Sequence, residues 1–167
     1  MAPLLRLDRL ADAEAREILS AACGSTRWVD RMLARRPFGT TEALLDAART
    51  EWFSLPEEDW KEAFGHHPMI GDREALRRRF AGTQPFSERE QAGVESSPVE
   101  VLDALAEGNR QYFEKFGYIF IVCATGLSAG EMLTRLRARL MNEPAAEIRT
   151  AAAEHARITE LRLRTST

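Results

Sequence analysis

Apolar residues recur every three or four positions through most of the chain. From Asp12 onward, Ala15, Ile18, Leu19 and Ala22 form one such stripe, the spacing that stacks side chains on one face of an α-helix. Gly24 supplies a stop, and Ser25 a cap for a second helix bearing Trp28, Met32 and Leu33. Arg36-Pro37-Phe38-Gly39 punctuates the chain before Thr40 or Thr41 opens a third stripe of Leu44, Leu45, Ala48 and Trp52. Pro56, followed by Glu57, Glu58 and Asp59, reads as a further start. Proline gives up an N–H that the first turn does not use, and the acids face the positive end of the helix dipole.

The second half repeats this logic. Ser97-Pro98-Val99-Glu100 combines a capping box with proline at the first helical position, and Leu102, Leu105, Asn109, Tyr112, Phe113 and Phe116 then share a face. Gly117 stops that helix. The run Tyr118 to Ala124 is aromatic and β-branched, which suits extended chain, yet an isolated strand would leave its backbone groups unpaired; helix or strand stays open there. Ser128 and Glu131 open another helix with Leu133, Leu136 and Leu140, and Asn142-Glu143-Pro144 starts a last one reaching about Leu163. No alternation builds a sheet and no repeat recurs, so the periodicity predicts a chain of helices in a single domain over residues 1–167.

Composition narrows the classes. At 167 residues, 44% hydrophobic and 29% charged, the chain can bury a core without metal or disulfide staples. A net charge of -3 offers no general attraction to nucleic acid or anionic membrane, and the runs Arg77-Arg78-Arg79 and Arg135 to Arg139 read as solvated helix faces. Cys23 and Cys123 are the two cysteines, far apart and without ligand spacing, so neither a zinc site nor a disulfide is expected. The longest apolar run falls well short of the roughly 20 residues a membrane helix needs. The expected location is the cytoplasm.

The sharpest chemical signal is His67-Pro68 within Phe64-Gly65-His66-His67-Pro68-Met69-Ile70-Gly71. Proline restricts the preceding residue to extended backbone, so a stiff turn presents an imidazole that titrates near neutrality. A plain turn with a partly buried ring explains the same residues. In the last helix, Ile148, Ala152, His155, Thr159 and Arg162 follow at helical spacing, which puts a guanidinium on a core-type face. It needs an anionic ligand or carboxylate there, unless it reaches water or terminal carbonyls. His155 reads as a partly buried structural histidine.

Taken in order, Cys23-Gly24-Ser25 with Trp28, Arg36-Pro37-Phe38, Phe64-x-x-His67-Pro68-x-Ile70-Gly71, Ser87-x-x-Glu90-Gln91-x-Gly93, Asn109-x-x-Tyr112-x-x-Lys115-Phe116-Gly117-Tyr118 and Leu161-Arg162-Leu163 resemble the 2-oxo-4-hydroxy-4-carboxy-5-ureidoimidazoline (OHCU) decarboxylases of urate degradation. The resemblance covers nearly the whole chain. It implies an all-α fold, a single-domain orthogonal multi-helix bundle, with no cofactor and no metal, and with His67, Glu90 and Arg162 at catalytic positions. Pro68, Ser87, Gln91 and the stretch Phe120, Ile121, Val122, Cys123 and Ala124 match positions lining the substrate. Homologues of this type are often homodimers. The resemblance also suggests that Glu90 favours a charged His67 imidazolium.

Ser87-x-x-Glu90 is equally the pattern of a helix capping box, so the same residues have a purely structural reading. Three other functions compete with the decarboxylase: a non-catalytic helical module binding a small anionic ureido metabolite, a related cofactor-free lyase or hydrolase, and a nucleic-acid-binding domain, which the acidic balance disfavours.

Overall fold

The structure, a computed structural model, describes residues 5–67 and 98–166. These residues form eight helices and no strand, the helical class expected, with the stretch left open at 118–124 forming no strand. They are α1 (Arg6–Arg9), α2 (Asp12–Ala22), α3 (Thr26–Ala34), α4 (Thr41–Phe53), α5 (Glu57–Phe64), α6 (Pro98–Phe116), α7 (Ala129–Leu140) and α8 (Pro144–Ser166). The chain divides into two compact units, Met1–His67 with Ile148–Thr167, and Pro68–Glu147.

Local chemistry sets most helix boundaries. The Ser25 hydroxyl accepts from the Trp28 amide at 3.2 Å and the Thr40 hydroxyl from Ala43 at 3.1 Å, each satisfying an amide without an intrahelical partner. Ser128 and Glu131 close a reciprocal capping box of 3.1 and 3.3 Å. Gly117 ends α6 with φ 83°, a left-handed turn in which a side chain would be strained. The box expected at Ser97 and Glu100 rests on Ser97, outside the described residues.

Gly24 departs from its expected role. α2 has already ended at Cys23, whose backbone is extended. A Cβ on Gly24 would stand 2.5 Å from Cδ2 of His66, so glycine serves here to admit a histidine ring. Phe113 is a second departure, 43% exposed although it follows the stripe of α6.

In the first unit the core contains Leu7, Leu19, Trp28, Met32, Leu44, Trp52, Phe64, Ala152 and Leu163. Each tryptophan indole donates to a backbone carbonyl, Trp28 to Ala48 at 3.1 Å, Trp52 to Ala152 at 2.9 Å and Trp60 to Trp52 at 2.8 Å. Large apolar rings are thereby buried without stranding their N–H groups. In the second unit α6 packs on α7 around Leu105, Tyr112, Met132 and Leu136, and Gly108 lets Leu136 approach closely.

Candidate active site

The His67 turn follows directly from the end of α5. The amides of His66 and His67 donate back to Ala63 and Phe64 at 3.2 Å each, carrying both rings away from the helix axis. Glu62 ties this end of α5 to the start of α3, accepting from the Thr26 amide at 2.7 Å and the Thr26 hydroxyl at 3.2 Å. The Cys23-Gly24-Ser25 corner and the two histidines are therefore neighbours.

α8 brings the remaining groups of the first unit. The His155 ring is fully buried and stacks on Trp52, with centroids 4.5 Å apart and planes at 18°. His67 meets it edge to face at 5.0 Å and 87°. Two turns along α8, Arg162 is exposed, and its guanidinium donates to the carbonyls of Ala21 and Ala22 at 3.3 and 3.5 Å. Through Nη1, Arg162 thus reaches the terminal carbonyls of α2 rather than those of its own helix. Its charge is also felt at His67.

Those surroundings decide protonation. Burial, the Arg162 charge and His66 push His67 down to about 4. Burial, with His67 and Arg162, takes His155 to about 3. Both rings are neutral at pH 7, because desolvation and a nearby cation each disfavour a second positive charge. The described environment therefore opposes the charged imidazolium expected for His67. Its suggested carboxylate partner, Glu90, lies outside the described residues, as do Pro68, Ser87 and Gln91. Burial also raises the Cys23 thiol to about 12, so this sulfur is no nucleophile at neutral pH.

The stretch Phe120 to Ala124 belongs to the second unit. It is neither helix nor ladder strand; Phe120, Ile121 and Val122 are buried, while Cys123 and Ala124 are half-buried. The Ile121 carbonyl, a group that an isolated strand would strand, accepts from Nη1 of Arg139. Arg139 is itself buried, bonded through Nε to Glu147 at 2.6 Å and lying over the Phe120 ring at 4.6 Å. Glu147 accepts further from the Tyr112 hydroxyl at 2.6 Å and Asn142 at 2.8 Å. Sequence reasoning missed this network: Arg139 sits in what reads as a solvated basic run, and only the acceptors around it reveal its burial.

No cluster of three or more metal-ligating side chains occurs among the described residues. None of the described helices is long and apolar enough to cross a membrane.

The described residues thus belong to an all-helical protein that keeps a neutral imidazole near a guanidinium, groups suited to moving a proton and orienting a carboxylate. The family model for OHCU decarboxylase matches residues 8–164, and the chain belongs to that family. It is 40% identical over 144 residues to the uric acid degradation bifunctional protein of Arabidopsis thaliana, spanning 84% of this chain but only 44% of that protein. It is 34% identical over 129 residues to the 2-oxo-4-hydroxy-4-carboxy-5-ureidoimidazoline decarboxylase of Amia calva, spanning 77% of this chain and 73% of that one. A crystal structure of OHCU decarboxylase in the presence of (S)-allantoin superimposes with a TM-score of 0.71 at 35% identity, covering 94% of this chain and 98% of the other.

Proposed function

We propose that this chain is a carboxy-lyase that decarboxylates OHCU to (S)-allantoin and CO2 in urate degradation, without a cofactor. The observation that carries this reading is the meeting of His67 and the charge of Arg162 within one unit, on a chain that the family model matches from residue 8 to 164.

In this substrate the carboxylate-bearing carbon also carries a hydroxyl and adjoins an imine carbon. When the carbon–carboxylate bond breaks, its electron pair forms a carbon–carbon double bond and displaces the imine pair onto nitrogen, which takes one proton from solvent. That built-in sink supplies what a cofactor otherwise would. Arg162 orients the departing carboxylate through a forked contact. Neutral His67 accepts the hydroxyl proton as the carbonyl forms, and the former imine carbon gains a proton on one face. Glu90 shares this proton traffic, by resemblance, while Ser87, Gln91, Pro68 and the stretch Phe120 to Ala124 line the substrate. A single domain, supported by one family model running across both units, a homodimer and residence in the cytoplasm complete the reading.

The test mixes purified protein with freshly generated urate-oxidation product and follows (S)-allantoin by circular dichroism. Wild type accelerates its formation; His67→Ala lowers turnover at least a hundredfold with its helical spectrum intact. Arg162→Lys lowers it too, because one ammonium cannot reproduce the planar fork. Binding of the product without faster allantoin formation would instead make this a non-catalytic metabolite module and overturn the proposal.

A further inference from the structure

The stretch from Phe120 to Cys123 belongs to no helix or ladder, so its backbone must find partners elsewhere. Among the described residues that backbone forms one hydrogen bond, which the Ile121 carbonyl accepts from Nη1 of Arg139. The same guanidinium lies over the Phe120 ring at 4.6 Å. One side chain therefore grips two successive residues, the first by its ring and the second by its backbone.

Arg139 is itself held from its other edge. Nε and Nη2 each stand 2.6 Å from Oε1 of Glu147, and Nη2 reaches the Tyr112 hydroxyl at 3.4 Å. Glu147 is fixed in turn by Tyr112 at 2.6 Å and Asn142 at 2.8 Å. Stability is a poor reason for this arrangement, because a buried ion pair returns little beyond the desolvation it costs and apolar side chains of similar volume often do as well. What the planar fork adds is direction: with one edge locked on Glu147, Nη1 is aimed at Ile121.

That aim passes through the peptide plane. The bond from Ile121 to Val122 is trans, so the Ile121 carbonyl and the Val122 N–H point in opposite directions on one rigid unit. Holding the carbonyl on Arg139 turns the Val122 N–H away from it, and that N–H has no acceptor among the described residues. We propose that Arg139 is a positioning residue that fixes this peptide plane, so that the Val122 N–H donates to a carbonyl oxygen of the bound substrate. The inference rests on the reading that Phe120 to Ala124 line the substrate, and every residue it uses lies in the second unit.

Full-length Arg139→Lys separates this role from stability. Lysine keeps a cation for Glu147, so the variant unfolds at a higher temperature than Arg139→Met, yet one ammonium cannot reproduce the fork that joins Glu147 to Ile121. KM for freshly generated OHCU should rise at least threefold while kcat stays within threefold of wild type. A purely structural role would instead remove active molecules, lowering apparent kcat at unchanged KM. Tyr112→Phe, which deletes one contact to Arg139 and one to Glu147, is the milder change and should raise KM at least twofold. Smaller rises in KM in the folded variants overturn the proposal. Nitrogen-15 relaxation tests it without requiring any variant to fold: the Val122 amide of wild type should be as rigid as the amides of α7, with an order parameter of about 0.85, and a value well below theirs refutes it. If wild type proves inactive on OHCU, the decarboxylase reading fails, whereas Val122 relaxation in wild type and Arg139→Lys still tells whether Arg139 holds the stretch.

Discussion

Replacing Arg139 by methionine isolates the cost of a stranded buried charge. Arg139 is 7% exposed and its partner Glu147 is fully buried. Methionine fills much of the same volume, so little of the effect comes from a cavity. Glu147 would keep the Tyr112 hydroxyl at 2.6 Å and Asn142 at 2.8 Å but lose the cation paired with it, and Ile121 would lose the donor to its carbonyl. Removing one member of such a pair costs about 3 to 5 kcal/mol, which for a chain of this size lowers the unfolding midpoint by about 10 °C. The double variant Arg139→Met/Glu147→Gln removes the charge while glutamine still accepts from Tyr112 or Asn142. It should regain about 2 kcal/mol or more relative to the sum of the single changes. Urea unfolding of wild type, both single variants and the double, followed by helical circular dichroism, gives the coupling directly. A coupling below about 0.5 kcal/mol, with the double variant destabilised by about the sum of the two single changes, would refute the reasoning. The loss would then come from the bond to Ile121 or from packing, and the carboxylate would not need its cation.

Other consequences are equally direct. Gly108→Ala puts a Cβ 2.6 Å from Cδ2 and 3.2 Å from Cγ of Leu136, a fully buried side chain. The overpacking of about 1 to 3 kcal/mol outweighs a helix-propensity gain of about 1 kcal/mol, so thermal unfolding should occur at lower temperature; a more stable variant would show that α6 and α7 can separate freely. The pH dependence has a fixed sign. His155 has its folded pKa lowered from 6.5 to about 3, so its contribution is complete above 6.5 and fades as pH falls toward 3. The loss attributable to this ring between pH 7 and pH 5 is about 2 kcal/mol. Urea midpoints measured across that interval should fall less steeply in His155→Phe than in wild type, and parallel slopes would mean that the imidazole protonates freely in the folded state.

The helices were legible in the chain because their causes are local. Ser25, Thr40 and Ser128 cap the residues three positions on, Gly117 takes a left-handed turn, and the stripes of α2 to α7 point inward with Phe113 as the departure. His67 and Arg162 could likewise be singled out by type and spacing. What those residues do to one another was not legible. Gly24 reads as a helix stop until the His66 ring is seen against it, and Arg139 reads as a surface charge until Glu147, Tyr112 and Ile121 surround it. The direction of the His67 shift likewise depends on burial and on a guanidinium 95 residues further along the chain. Helix formation is governed by neighbours three or four positions apart, so sequence alone determines it. Desolvation and charge pairing depend on distance through space, and for His67, His155 and Arg139 only the packing of the chain decides them.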